Sequence, residues 1–325
     1  KTAPARLNAF DAATSVHLLR NSAAERSVYE GDLSGLEDVF ARRFEPGRPW
    51  SASRLEAYAR CPFMFFVGSV LGLEEREEPT EGLDARQLGN IYHRIFEQLY
   101  PAVSDPTDLE QLIAVLPDVA SEVLDGAPQR EGFRVTAWWR QTRDEMVENV
   151  RRSLEALAEL QADFVPLQYE AAFGIRDQPP LVVRDHNDSF ALRGLIDRVD
   201  RAPDGRLRVI DYKTSGPWGY SATAVADGKK LQLPLYALAA QEALKLGEPA
   251  EGFYWHVRQA EPSSFKLSRF SGGPQEAMAV AVSHAWESVR EARQGNFVPS
   301  APDAGCPAWC AAALFCWQFK QGYGG

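Results

Sequence analysis

The stretch LRGLIDRVDRAPDGRLRVIDYKTS, residues 192–215, constrains this chain more than any other part of it. Two runs rich in β-branched residues flank a Pro-Asp-Gly turn, which predicts a hairpin reversing between Ala202 and Gly205. Side chains alternate along a strand, so Asp211 and Lys213 share one face. Pairing across the turn sets Asp197 nearly opposite Ile210 and Asp211, and opposed or diagonal side chains lie roughly 4.5 to 8 Å apart. Two carboxylates that close repel each other unless a cation lies between them. A hard divalent ion such as Mg2+ or Mn2+, which takes carboxylate oxygen at about 2.1 Å, suits both. Lys213, partly desolvated beside such an ion, is expected to have a lowered pKa and to hold or deprotonate a water while offsetting charge on a phosphate. An Asp-x-Lys triplet alone usually marks a solvated Asp/Lys pair. Here VIDYK enters from buried-type residues, and a second acid sits on the neighbouring run.

At 325 residues the chain can bury a substantial core, as one large domain or two smaller ones. Its net charge of −10 argues against a protein that simply coats nucleic acid, though not against an enzyme with a basic channel. No apolar run approaches the roughly 20 residues a membrane helix needs, and KTAPARLNAF lacks a signal-peptide core, so no membrane role and a cytoplasmic location are expected.

Residues 1–45 pattern weakly and end near FEPGRPW, a linker-like stretch, so they read as an extension or a link to a preceding domain. Residues 46–325 read as one domain. In it, DARQLGNIYHRIFEQLY places Leu88, Ile91, Ile95 and Leu99 at helical spacing with His93 at the edge of that face. A helical insertion is expected over about 101–165. The period then changes to short strands, among them LQYEAAFGI, LVVRD, FALRGLIDRVD and LRVIDYKT. KKLQLPLYALAAQEALKL returns to helix, FYWHVR is a strand, and EAMAVAVSHAWESVREARQG is a long helix closed by Gly295.

Four elements in order carry a resemblance: GNIYH (Gly89 to His93), GLIDRVD (Gly194 to Asp200), DYK (Asp211 to Lys213) and QLPLY (Gln232 to Tyr236). Together they resemble the RecB-like branch of the PD-(D/E)XK nuclease superfamily. The resemblance implies an α/β fold, a mixed central sheet flanked by helices. It also implies a metal-dependent DNA nuclease, acting on single strands as an exonuclease in break processing, within or related to a helicase-nuclease. A CRISPR-associated adaptation nuclease and a catalytically silent DNA-binding relative are the alternatives. His93, Asp197, Asp211 and the Tyr212 carbonyl are implied as ligands of Mg2+ or Mn2+, and Lys213 as the catalytic lysine. Gln232 and Tyr236, on one helix face, would orient Lys213 or touch DNA. His17, His186, His256 and His284 have no such company.

Cys61 stands alone while Cys306, Cys310 and Cys316 share CPAWCAAALFC, a distribution that favours a metal site over disulfides. The same branch includes proteins with one cysteine before the nuclease motifs and three after them, holding a 4Fe-4S cluster as a structural staple. Here the trio reads C-x3-C-x5-C where C-x2-C-x5-C is expected, and four thiolates also suit zinc. Arg130, Arg134, Arg140, Arg143, Arg151 and Arg152, interleaved with Phe133, Trp138 and Trp139, offer a stacking surface for single-stranded DNA. Glu145, Glu148 and Glu155 punctuate the same region and favour an ordinary solvated helix.

Overall fold

The computed structural model describes residues 3–21, 28–73, 82–160 and 163–322. In chain order its helices are α1 (Ala3–Asn21), α2 (Glu37–Arg43), α3 (Ala52–Arg60), α4 (Pro62–Phe65), α5 (Ala85–Leu99), α6 (Leu109–Glu131), α7 (Trp139–Leu160), α8 (Ala222–Ala226), α9 (Gln232–Glu242) and α10 (Gly273–Arg293). The strands are β1 (Val165–Phe173), β2 (Leu181–Asp185), β3 (Asp188–Leu192), β4 (Gly194–Arg201), β5 (Arg206–Lys213), β6 (Glu248–His256) and β7 (Glu261–Lys266). Two compact units result: residues 49–52 with 76–283, and residues 1–48 with 53–75 and 284–325. Among the described residues no helix is long and apolar enough to cross a membrane.

The larger unit is built on a mixed sheet in the order β1-β4-β5-β6-β7, antiparallel except for the parallel pair β5 and β6. A parallel pair needs a crossover, and α8 and α9 supply it. The hairpin closes as its sequence demands: Gly205 donates to the Ala202 carbonyl, Ala202 donates to the Arg206 carbonyl, and Gly205 takes φ +87°. β5 is buried continuously from Leu207 to Tyr212, which is why VIDY shows no polar alternation: a central strand is covered on both faces. The run FALRGLIDRVD is two strands rather than one. β3 pairs with β2 in a separate two-stranded sheet, and at the break the Trp50 N–H donates to Ala191 while Arg193 donates to the Trp50 carbonyl.

α5 starts at a capping box, with Gln87 N–H donating to Asp84 Oδ1 at 2.7 Å and Asp84 N–H to Gln87 Oε1 at 2.9 Å. Its buried face, Ile91, Tyr92, Ile95, Phe96 and Leu99, packs in one core with Ile210, Tyr212 and Trp255 of the sheet and with α6 and α7.

In the smaller unit Phe40, Phe44, Tyr58, Phe65 and Phe297 are buried together, Phe40 and Phe297 meeting edge-on at 4.8 Å. Pro62 opens α4, and Cys61 caps it in an extended conformation.

Candidate active site

Strand register assembles the site. The β4–β5 ladder runs up to Arg198 paired with Ile210, and one further step sets Asp197 across from Asp211. The Tyr212 N–H, on the part of β5 beyond this last rung, donates to Asp197 Oδ2 at 2.6 Å. N–H and C=O of one residue in an extended strand leave toward the same neighbour, so the Tyr212 carbonyl faces the same gap. From α5, His93 Nδ1 lies 3.2 Å from Asp197 Oδ1.

The structure adds a residue that the sequence does not single out. His93 Nδ1 also lies 3.6 Å from Glu170 Oε1, and donor atoms of His93, Glu170 and Asp197 all fall within 4.8 Å of one another. The flanking rungs, Tyr169 with Arg198 and Ala171 with Ile196, set Glu170 beside Asp197. Glu170 holds φ +45°, an uncommon conformation for a non-glycine residue inside a strand and of the kind that collects at functional sites. Its sequence signal is weak: one acid among the small and apolar residues of QYEAAF.

Asp211 is fully buried. Burial first, and then the nearby Asp197 charge, push its carboxyl up to about 6 despite Lys213. Its Oδ2 contacts Lys213 Nζ at 2.5 Å without hydrogen-bond geometry, and Oδ1 has no hydrogen-bond partner among the described residues. Lys213 donates to Gln232 Oε1 at 2.9 Å and lies 5.5 Å from the centre of the Tyr254 ring. Burial alone would lower the lysine, but Asp211 and Asp197 outweigh it and hold Lys213 above its ordinary value. Without an ion the direction is thus opposite to the lowering expected beside one: surrounded by carboxylates, Lys213 is an ammonium and a donor. For His93 burial also works downward, and Asp197 and Glu170 overcome it, so the imidazole is held well above its usual value.

Tyr236 sits one turn after Gln232 on α9, within hydrogen-bond reach of it. Its ring meets Phe173 edge-on at 5.6 Å. The structure thus brings together His93, Asp197, Asp211, Tyr212, Lys213, Gln232 and Tyr236, with Glu170 added.

Three carboxylates around one imidazole make a site that needs positive charge. The protonated His93 and Lys213 supply part of it, while the unpartnered Asp211 Oδ1, a buried carboxylate oxygen, fits a hard cation. These residues fit a hard divalent cation.

The four cysteines all belong to the smaller unit and line one pocket with Phe63 and Met64. Burial raises the Cys316 thiol, and each of the other three cysteines acts on it in the same direction. Among the described residues no three of these sulfurs gather within 4.8 Å, whereas thiolates on one zinc stand about 3.8 Å apart.

Three of the six arginines in the arginine-rich stretch pair with acids. Arg143 pairs with Asp125 at 2.6 Å, Arg151 with Glu148 and Glu155, and Arg130 with Glu131 and the Val123 carbonyl. Trp139 is buried against Phe133 while Trp138 is exposed.

Residues 49–317 match the family model for the PD-(D/E)XK nuclease superfamily. Proteins named as a subunit of an ATP-dependent helicase/deoxyribonuclease are similar to this chain. The one from Moorella thermoacetica is 36% identical over 255 residues, 72% of this chain and 22% of that protein. Those from Carboxydothermus hydrogenoformans and Caldanaerobacter subterraneus are 32% and 29% identical, over 67% and 72% of this chain and 21% of each relative. The chain thus spans about a fifth of the length of the relatives it matches.

Proposed function

The chain belongs to the PD-(D/E)XK nuclease superfamily, and from that premise we propose that it is the nuclease part of a helicase-nuclease, hydrolysing phosphodiester bonds of single-stranded DNA with Mg2+ or Mn2+. The observation that carries the proposal is the convergence of His93, Glu170 and Asp197 within 4.8 Å, beside the buried Asp211 and Lys213. His93, Glu170, Asp197, Asp211 and the Tyr212 carbonyl would hold the ion, which when bound polarises the phosphate and lowers the pKa of a water. Lys213, protonated and held by Gln232, offers an ammonium to a phosphate oxygen where negative charge develops. Tyr236 braces Gln232 from the same helix face. A partner with helicase activity fits the relatives' name, and the DNA-repair setting follows from it. The intact Asp197, Asp211 and Lys213 weigh against a silent relative, and the similarity to helicase/deoxyribonuclease proteins weighs against a CRISPR nuclease.

The four thiols are proposed to hold a 4Fe-4S cluster rather than zinc: all four line one pocket, with one before and three after the nuclease motifs as in the cluster-bearing proteins of the branch that the sequence resembles. The cluster is a staple with no redox step.

The test is to incubate the protein with end-labelled single-stranded DNA and Mg2+ or Mn2+, beside Asp211→Ala and Lys213→Ala variants. Metal-dependent degradation that drops at least a hundredfold in both variants is expected. Equal degradation by all three removes these residues from the chemistry.

A further inference from the structure

Each of the three strand carboxylates that face the proposed ion has a chain neighbour on the opposite face of the sheet, and those neighbours join Phe96, from the same helix as His93, in one assembly. Tyr169 precedes Glu170, Arg198 follows Asp197, Tyr212 follows Asp211, and Phe96 lies one turn beyond His93. Tyr212 stacks on Phe96 at 4.2 Å, and Tyr100 stacks on Tyr169 at 4.7 Å with Phe96 next to it at 6.4 Å. Arg198 lies over the Tyr100 ring at 4.7 Å, donates to the Tyr100 hydroxyl at 2.5 Å, and donates to both oxygens of Asp200. Asp200 in turn accepts two bonds from Arg208, its cross-strand partner on β5.

Stability alone does not account for this triad. Two guanidinium groups and a carboxylate are almost wholly removed from water, and apolar replacements of such groups are often neutral or stabilising. What rigid bidentate pairs supply is geometry. The triad's cross-strand link is the Asp200–Arg208 rung, three residues before Asp197 comes to face Asp211, and Arg198 carries it along β4 to the last rung of the ladder, next to Asp197.

Given the metal reading above, on which this rests, we propose that Arg198, Asp200 and Arg208 are positioning residues that set the separation of Asp197 from Asp211 and His93, and with it the affinity and selectivity for the divalent ion. Mg2+ demands near-ideal octahedral ligand placement, whereas a looser site still serves a more tolerant ion. Loss of the triad should therefore weaken Mg2+ binding more than Mn2+ binding.

The experiment measures Mn2+ binding directly by electron paramagnetic resonance, and Mg2+ by competition, on four proteins: wild type, Asp211→Ala, the triple variant Arg198→Met/Asp200→Leu/Arg208→Met, and Tyr100→Phe. Circular dichroism and urea melts establish folding. The expected result is a folded triple variant with Mn2+ affinity about tenfold weaker and a larger loss for Mg2+, while the rate of DNA cleavage at saturating Mn2+ stays within a few fold. Tyr100→Phe, which removes one hydroxyl, should lose about twofold to fivefold in affinity by the same route and serves if the triple variant does not fold. A folded triple variant, or failing that Tyr100→Phe, that binds both ions as wild type does overturns the positioning role, with the metal reading intact provided Asp211→Ala loses the ion. Wild-type protein that binds no Mn2+ overturns the metal reading itself.

Discussion

At the scale of single residues, the site holds more negative charge than its own cations neutralise, and proton linkage makes that measurable. His93 is held well above its usual value, so near neutral pH it carries a proton that a metal ion must displace. Titration of Mn2+ by calorimetry in buffers of different ionisation enthalpy should show release of about one proton per ion at pH 7, and affinity should rise with pH until His93 is neutral in the metal-free protein. Release of no proton would mean that His93 is not a ligand. Asp211 carries the opposite lesson. Its carboxyl is raised to about 6, so the folded metal-free protein binds a proton more tightly than the unfolded chain does, and stability falls as pH rises from about 4 through 6. Asp211→Asn should therefore raise the metal-free melting temperature at pH 8 by a few degrees, about 1 kcal/mol, while abolishing Mn2+ binding. A lowered melting temperature would show that the contact with Lys213 outweighs the burial. His256, fully buried at the end of β6, is shifted down by burial, and its Nε2 has no partner among the described residues. A depressed histidine contributes stability that is complete above about pH 6.5 and is lost as pH falls through the folded value. Urea melts from pH 7 to 5 should lose less stability in His256→Phe than in wild type.

At the scale of elements, the two motif glycines have different physical causes. A Cβ on Gly194, at the start of β4, would meet the rings of Phe173 and Tyr236 at 2.9 Å, so Gly194→Ala should cost about 1–3 kcal/mol by chemical melt and displace Tyr236. Gly89, inside α5, is different: a Cβ there would meet just the Thr214 hydroxyl at 3.9 Å, an ordinary contact. A helix-interior glycine costs roughly 1 kcal/mol against alanine, so Gly89→Ala should raise stability by up to about that much. If the DNA backbone passes that point, the same change raises KM for DNA and leaves the rate at saturation alone; an unchanged KM removes Gly89 from the DNA path. The hairpin, α5 and α9 are legible in the sequence because local signals suffice there: a turn glycine for the hairpin and a helical apolar period for the two helices. Glu170 is not, because a lone acid in a strand acquires meaning only through register with β4. The division of FALRGLIDRVD into two strands is hidden for a similar reason, since it depends on Trp50, more than a hundred residues away. The direction of the Lys213 shift is equally hidden: sequence shows the burial that would lower it, while three-dimensional proximity to two carboxylates decides it.

At the scale of the whole molecule, the chain order has a mechanical consequence. Cys61 lies before residues 76–283, nearly all of the larger unit, and Cys306, Cys310 and Cys316 lie after them, yet all four belong to the smaller unit. Ligation of one cluster would close a loop containing nearly the entire larger unit, and loop closure on that scale restricts the unfolded chain by several kcal/mol. That contribution falls on the smaller unit, whose own apolar cluster around the cysteines is modest: Met64, Val67, Cys310 and Ala312 are its buried members. The larger unit has its own core around α5 and the sheet and does not draw on the thiols. Anaerobically purified protein should therefore show visible absorbance and about four irons per chain, as a 4Fe-4S cluster requires. Oxidative bleaching, or Cys316→Ser, should lower the transition followed by fluorescence of Trp309 and Trp317, both packed near the cysteines. Mn2+ affinity in the larger unit should change less than about twofold, because its ligands come from α5, β1, β4 and β5. Loss of Mn2+ binding in step with the iron would instead mean that the two units fold as one cooperative body, and the thiols would then act on the site and not merely on the smaller unit.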